Sequence, residues 1–152
     1  MNIAIGSDPN AGDLKQTVIE HVQALGHSIA DLGSDDPIYA NVAFTVSERV
    51  AQGDFERGIL LCGTGIGMAI AANKVPGVNA ALCSDAYSAE RSVKSNNATI
   101  MTIGSQVTGP ELAKTMVTVW LEAMFDPESR SGPKVDRIQG YAEAHQRTSS
   151  ST

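Results

Sequence analysis

Much is scarce in this sequence, and each scarcity narrows what the chain can be. Aromatic residues make up 5% of its 152 positions, too few for a platform on which bases could stack. Lysine and arginine total 11 against 17 acidic residues, a net charge of −6. That field repels phosphate backbones, and no local basic run offsets it, so no nucleic-acid partner is expected. No stretch approaches the ~20 apolar residues of a membrane span, so no membrane partner is expected either. Cysteine occurs twice, as Cys62 and Cys83. Two such residues cannot form a disulfide framework, and neither has zinc spacing, so we expect no metal and a reduced, cytoplasmic setting. Histidine occurs three times, as His21, His27 and His145. The opening MNIAIGSD has no basic region before its apolar run and no cleavage site after it. It reads as a first strand and not as a signal peptide.

What is present suits one domain. Hydrophobic residues reach 42%, enough for one core in a chain of this length. Short apolar runs at 2–7, 27–31, 58–62, 78–83 and 99–103 are mostly apolar on both faces, as strands of a covered parallel sheet are. Between and after them lie helical stretches at 13–25, 41–52, 65–75, 85–95 and 110–125. In the first, Leu14, Val18, Ile19, Val22 and Leu25 recur every three or four residues, and Gly26 follows as a stop. A polar loop at 127–133 leads to a short helix at 134–144. The alternation predicts an α/β fold: a three-layer αβα sandwich, Rossmann-like, around a five-stranded parallel sheet. Residues 1–145 form the single domain. The polar stretch 146–152 is expected to be a disordered tail.

Ligands of open α/β sheets bind beyond the carboxyl ends of the strands. The most informative loop there is Cys62-Gly63-Thr64-Gly65-Ile66-Gly67. A cysteine ends a buried strand, and alternating glycines open a helix. Glycines admit close approach of a ligand, and free amides at a helix start attract negative charge. Cys62 is therefore placed to act as base or nucleophile beside an oxyanion-binding loop. Loop chemistry alone also allows a small core residue at a tight turn, the reading preferred for Cys83. Dinucleotide binding is poorly matched. Gly63, Gly65 and Gly67 give GxGxG after the third strand, whereas the fingerprint is GxGxxG after the first.

The block CGTGIGMAIAANK at 62–74 is joined by Ser7-Asp8, Cys83-Ser84, Tyr87-Ser88-Ala89, Asn96, Gly104-Ser105 and Lys134-Val135-Asp136. Together these resemble the ribose-5-phosphate isomerase B / galactose-6-phosphate isomerase family, from Met1 to about Tyr141. The resemblance implies a cofactor-free aldose–ketose isomerase, a dimer or tetramer whose sites draw on two subunits. It implies that Cys62 is the base moving a proton between C1 and C2. Thr64 and the amides of Gly63, Gly65, Ile66 and Gly67 would hold the enediolate oxygen. Asp8 and Asn96 would hold sugar hydroxyls, and Arg130 and Lys134 the phosphate. Without the resemblance, Arg130 and Lys134 read as solvated charges in a polar loop.

The departures from the family pattern are Pro9 for a histidine, Ser95 for the ring-opening histidine, Asp36 for a tyrosine, Gln106 for an arginine and Lys134 for an arginine. His21 and His27 read as structural or surface residues; a partner subunit could deliver His145. Serine is a poor proton shuttle near neutrality. The expected function is aldose–ketose isomerisation of a sugar phosphate through an enediol, on a substrate other than ribose 5-phosphate. A tetrose 4-phosphate such as erythrose or erythrulose 4-phosphate fits, because its phosphorylated O4 cannot close a furanose ring. Alternatively, Asp36 or Asp85 opens the ring, with Asp36 and Ser95 among the substrate-binding residues, or the ring opens unaided. A non-catalytic or partner-dependent sugar-phosphate-binding subunit, and a nucleotide-binding module, are the competing function classes.

Overall fold

The computed structural model describes residues 1–150, with side chains described through 146. The strands are β1 (Asn2–Ser7), β2 (Ser28–Asp31), β3 (Arg57–Cys62), β4 (Ala80–Leu82) and β5 (Ile100–Gly104). The α-helices are α1 (Gly12–Ala24), α2 (Tyr39–Ala51), α3 (Ile66–Ala72), α4 (Ala86–Lys94), α5 (Pro110–Glu122) and α6 (Gly132–Ser150). All neighbouring strands pair in parallel, in the order β2-β1-β3-β5-β4. The expected three-layer αβα sandwich is thus the observed one.

Alternation along the central strands builds both faces of the sheet. Ile3, Ile5, Ile59, Leu61, Met101 and Ile103 point to one side. There they meet Val18 and Val22 of α1, Val93 of α4, and Met116, Val117 and Trp120 of α5. Ala4, Leu60, Cys62 and Ile100 point to the other side, against Val42 and Val46 of α2 and Met68 and Ala72 of α3. Gly26, at φ +90°, ends α1 where the sequence placed a stop.

Several boundaries differ from expectation. The strands β2 and β4 are shorter than 27–31 and 78–83, and neither is fully buried. Both lie at sheet edges, where one flank has no neighbour, so two-sided burial holds only for β1, β3 and β5. Asn73 reinforces the β4 edge: its side chain accepts from the Ala80 N–H at 2.8 Å and donates to the Ala80 carbonyl at 2.9 Å. Helix α3 stops at Ala72 rather than 75. Helix α5 stops at Glu122 rather than 125, because Arg57, at the start of β3, caps it. The buried Arg57 guanidinium donates to the carbonyls of Trp120 and Ala123 and lies 5.2 Å from the Trp120 ring centroid. Burial lowers its pKa, and Glu56 acts in the opposite sense.

The last helix also spans part of the stretch 146–152, expected as a polar tail. Helix α6 starts earlier and runs further than 134–144 and takes in 146–150. No proline or glycine interrupts positions 141–150, and an established helix extends by one bond per residue. Positions 151 and 152 lie outside the described residues. Of the described residues of α6, Gly132 and Val135 are buried, while Ile138 and Tyr141 stay exposed. The helix lies beside the amino edge of the sheet, over a cavity of about 350 Å³ lined by Asn79, Asn96, Ala98, Val135 and Ile138. Among the described residues no helix is long and apolar enough to cross a membrane.

Two outcomes follow from this packing. Replacing Arg57 with Met leaves two carbonyls at the end of α5 without a donor, and urea denaturation should show a loss of roughly 2–3 kcal/mol. Cys83 is buried, which pushes its thiol up to about 11, while a hydrogen bond with Ser92 acts against this and Asp85 with it. The folded thiol keeps its proton where the unfolded one, at its ordinary 9.0, has lost it. Its contribution to stability is therefore complete below pH 9.0 and is lost as pH rises toward about 11. Denaturation curves across that window should fall less steeply in Cys83→Ala than in the parent.

Candidate active site

The chain runs from β1 to β2 on one side and returns to β3 on the other, which opens a crevice between the carboxyl ends of β1 and β3. Asp8 and Cys62 flank it. The Asp8 N–H donates to the Leu61 carbonyl at 2.8 Å, tying the two strand ends together.

The glycine loop after β3 is strapped from several directions. The Gly65 N–H donates to Cys62 Sγ at 3.1 Å, and the Ile66 N–H to Thr64 Oγ1 at 3.2 Å. From the β5 side, the Ser105 N–H donates to the Cys62 carbonyl at 2.8 Å and the Gln106 N–H to the Gly63 carbonyl at 3.0 Å. Buried Thr102 Oγ1 donates to the Gly65 carbonyl at 2.8 Å. Gly65 has φ +82°, and a Cβ there would stand 3.0 Å from the Ile103 carbonyl carbon. A Cβ on Gly104 would stand 2.6 Å from the Thr64 carbonyl. Loop and strand therefore meet backbone to backbone, and side chains at these two positions are excluded. Thr64 and Ile66 are exposed, while Cys62 is buried at the base of the loop.

The structure gathers eight of the twelve expected site residues here: Asp8, Asp36, Cys62, Gly63, Thr64, Gly65, Ile66 and Gly67 all lie at the carboxyl edge. Asp8 Oδ1 accepts from the Asn10 N–H at 2.7 Å and caps the 3-10 turn Pro9–Ala11. Asp36 is tied down more fully. Its Oδ1 accepts from the Ile38 N–H at 2.8 Å and its Oδ2 from Asn41 Nδ2 at 3.0 Å, so both oxygens serve the start of α2.

The other four are elsewhere. Ser95 and Asn96 follow the end of α4, and the chain then enters β5 at its amino end. Lys134 Nζ donates to Asn96 Oδ1 at 2.7 Å, so Lys134 shares that edge. Arg130, exposed, lies in the turn that leads into α6. The two groups are separated by the length of β3, five steps of ~3.3 Å or about 17 Å. Within one chain Cys62 does not meet Arg130, Lys134, Asn96 or Ser95. His145 sits on α6 with its ring stacked on Tyr141, centroids 4.1 Å apart.

Two residues join the carboxyl edge that sequence reasoning leaves out of the site. The exposed side-chain amide of Gln106 lies over Gly63, 3.7 Å from where a Cβ would stand. Its position, two residues past the end of β5, is the available signal. Tyr39 packs its phenol onto Gly67 and occupies the space of a side chain there; nothing in the sequence separates it from an ordinary first residue of a helix. A cavity of about 340 Å³ opens beside this edge, lined by Asn10, Asp13, Thr17, Ser105, Gln106 and Thr108 among others.

Known proteins resemble this chain over nearly its whole length. The chain is 49% identical over 147 residues to a D-erythrulose-4-phosphate isomerase of Pectobacterium atrosepticum, covering 94% of this chain and 95% of that one. It is 46% identical over 142 residues to a ribose-5-P isomerase B of Listeria innocua, covering 91% and 95%. A solved type B ribose 5-phosphate isomerase from Trypanosoma cruzi superposes with a TM-score of 0.90 at 36% identity, over 95% of this chain and 100% of that one. Residues 3–138 match the Ribose/Galactose Isomerase family as a whole, and the chain belongs to that family.

Proposed function

We propose that this chain is an aldose–ketose isomerase acting on a tetrose 4-phosphate, at sites formed by the carboxyl edge of one protomer and the amino edge of another. The observation that carries the reading is the division of the expected site between opposite ends of the sheet. A second copy that applies its amino edge to the glycine loop reunites them. A two-fold axis does so twice, once per protomer. Exposed Ile66, Ile70 and Tyr87 near the loop and Ile138 and Tyr141 on α6 supply apolar surface for such a contact.

In the reunited site the carbonyl oxygen of the open-chain sugar sits against the amides of the glycine loop and Thr64. Cys62 removes the proton from the carbon beside that carbonyl. The charge that develops on oxygen is met by donors already in place, which is where preorganisation contributes most. Within the enediolate the hydroxyl proton passes from the neighbouring oxygen to the former carbonyl oxygen, and returning the abstracted proton to the other carbon completes the exchange of aldose for ketose; neither step calls for a cofactor. Asp8 of one protomer and Asn96 of the other hold hydroxyls. Arg130 forks onto the phosphate and Lys134 makes a point contact.

The tetrose follows from what is missing around the loop. Ring opening needs a group that exchanges protons near neutrality. Ser95 is no such group, both carboxylate oxygens of Asp36 are hydrogen-bonded at the start of α2, and both of Asp85 accept from Ser88. A sugar that is already open needs none. The name of the Pectobacterium relative supports the same substrate. Two free, buried cysteines fit a reducing cytoplasm.

A panel of tetrose, pentose and hexose phosphates should give its highest kcat/KM with a tetrose 4-phosphate. A tenfold preference for ribose 5-phosphate, roughly 1.4 kcal/mol in transition-state binding, would overturn the substrate assignment. Cys62→Ser should fold and lose roughly 10²-fold or more in kcat. At substrate well below the KM of Arg130→Ala, where that variant turns over little, mixing it with Cys62→Ser chains should restore roughly a quarter of the parent activity, because half the random dimers then hold one intact site of two. A fully active monomer in light scattering contradicts the shared site.

A further inference from the structure

We infer that Lys134 is a positioning residue for Asn96, so that phosphate grip and hydroxyl recognition on the amino edge work as one unit; this rests on the isomerase reading above. The two ends of the Asn96 amide differ in the partners they can take. An ammonium only donates and a carbonyl only accepts. Lys134 Nζ lies 2.7 Å from one end of the amide, which must be Oδ1. The Arg91 carbonyl lies 2.9 Å from the other end, which must be Nδ2. Both neighbours demand the same orientation, and a flipped amide would face donor with donor and acceptor with acceptor.

The consequence reaches the substrate. With one Nδ2 hydrogen spent on Arg91 and one Oδ1 lone pair on Lys134, the Asn96 amide has one N–H and one lone pair left to offer. Their directions are set by its two partners. The Arg91 carbonyl is fixed, since it belongs to the last turn of α4 and also accepts from the Ser95 N–H at 3.0 Å. Lys134 is the adjustable partner. It stands in the first turn of α6 and has two further N–H groups after the one given to Asn96. A phosphate oxygen bound by those groups pins the ammonium from its far side. Without the ammonium, Oδ1 loses the donor that sets its direction and the amide turns more freely.

A ligand that only grips phosphate affects binding of substrate and transition state alike, and its loss appears in KM. A residue that also aims Asn96 affects kcat. The test uses Lys134→Met, which keeps the stem and removes the donors, Lys134→Arg, which restores a donor, Asn96→Ala, and the Met/Ala double variant. Each is assayed on the tetrose 4-phosphate, with inorganic phosphate as competing inhibitor. Lys134→Met should weaken phosphate inhibition and lower kcat, each roughly tenfold, the scale of one hydrogen bond to a charged group. Lys134→Arg should recover most of the kcat. The double variant should have the kcat of Asn96→Ala alone, because the lysine acts on turnover through that amide. A kcat within twofold of the parent in Lys134→Met overturns the inference, as does a double variant whose kcat loss is the product of the single losses. A readout apart from turnover is the Asn96 side-chain amide NMR signal on adding inorganic phosphate. It should shift in the parent and stay still in Lys134→Met; a signal unmoved in the parent also overturns the inference. If the parent turns over no sugar phosphate, the isomerase reading falls, while the amide signal still decides whether Lys134 and Asn96 are coupled.

Discussion

The carboxyl edge depends on one close approach, that of the loop after β3 to the end of β5. A Cβ at Gly104 would stand 2.6 Å from the Thr64 carbonyl, and one at Gly65 would stand 3.0 Å from the Ile103 carbonyl carbon. Contact of backbone with backbone leaves no tolerance for side chains. In return it brings the Ser105 and Gln106 amides onto the loop and lets buried Thr102 hold the Gly65 carbonyl. The loop therefore arrives with its geometry fixed before any substrate does. Stabilising charge that develops only during reaction is most effective when the donors need not move.

A parallel sheet imposes the second constraint. Every strand delivers its carboxyl end to the same edge, so the loops after β1, β2, β3 and β5 converge there while the helices return the chain to the opposite edge. Asn96 comes at the end of such a return, and α6 begins after another. No adjustment of loops places Lys134 near Cys62 across the length of β3. A site that needs both must be intermolecular, and in the proposed shared site α6 would be the element that reaches a neighbouring chain. Gly132 and Val135 anchor its start, while Ile138 and Tyr141 remain uncovered on their own chain. The proposed assembly would in this sense follow from the fold's topology.

How far the sequence can be read follows from the same physics. The central strands and the glycine loop are legible because burial on two faces and alternating glycines are local patterns. The edge strands read too long, since an apolar run does not reveal that it will have a neighbour on one side alone. The end of α5 is hidden because its cap, Arg57, lies 63 residues earlier in the chain. Asp36 is legible as a polar residue at the right edge, but not as a carboxylate whose two oxygens are taken by Ile38 and Asn41. Gln106 registers as a departure from the family pattern, and its place over Gly63 emerges only in three dimensions. In each case the illegible fact is a contact between segments far apart in the chain or a choice among local partners.

The replaced histidines can be weighed against this background. Were Asp36 free, it could stand in for a proton shuttle, and a ring-closed substrate would remain open to the enzyme. Its hydrogen bonds at the start of α2, and those of Asp85 to Ser88, hold both carboxylates in place, while Cys62 lies at the base of the glycine loop. One group is enough to move a proton between adjacent carbons of an open chain. Opening a ring first needs transfer at the anomeric hydroxyl and at the ring oxygen as well, at positions that the base beside C1 and C2 does not reach together. On the proposed reading, the economy of titratable groups around the loop and a substrate that cannot cyclise are two sides of one constraint.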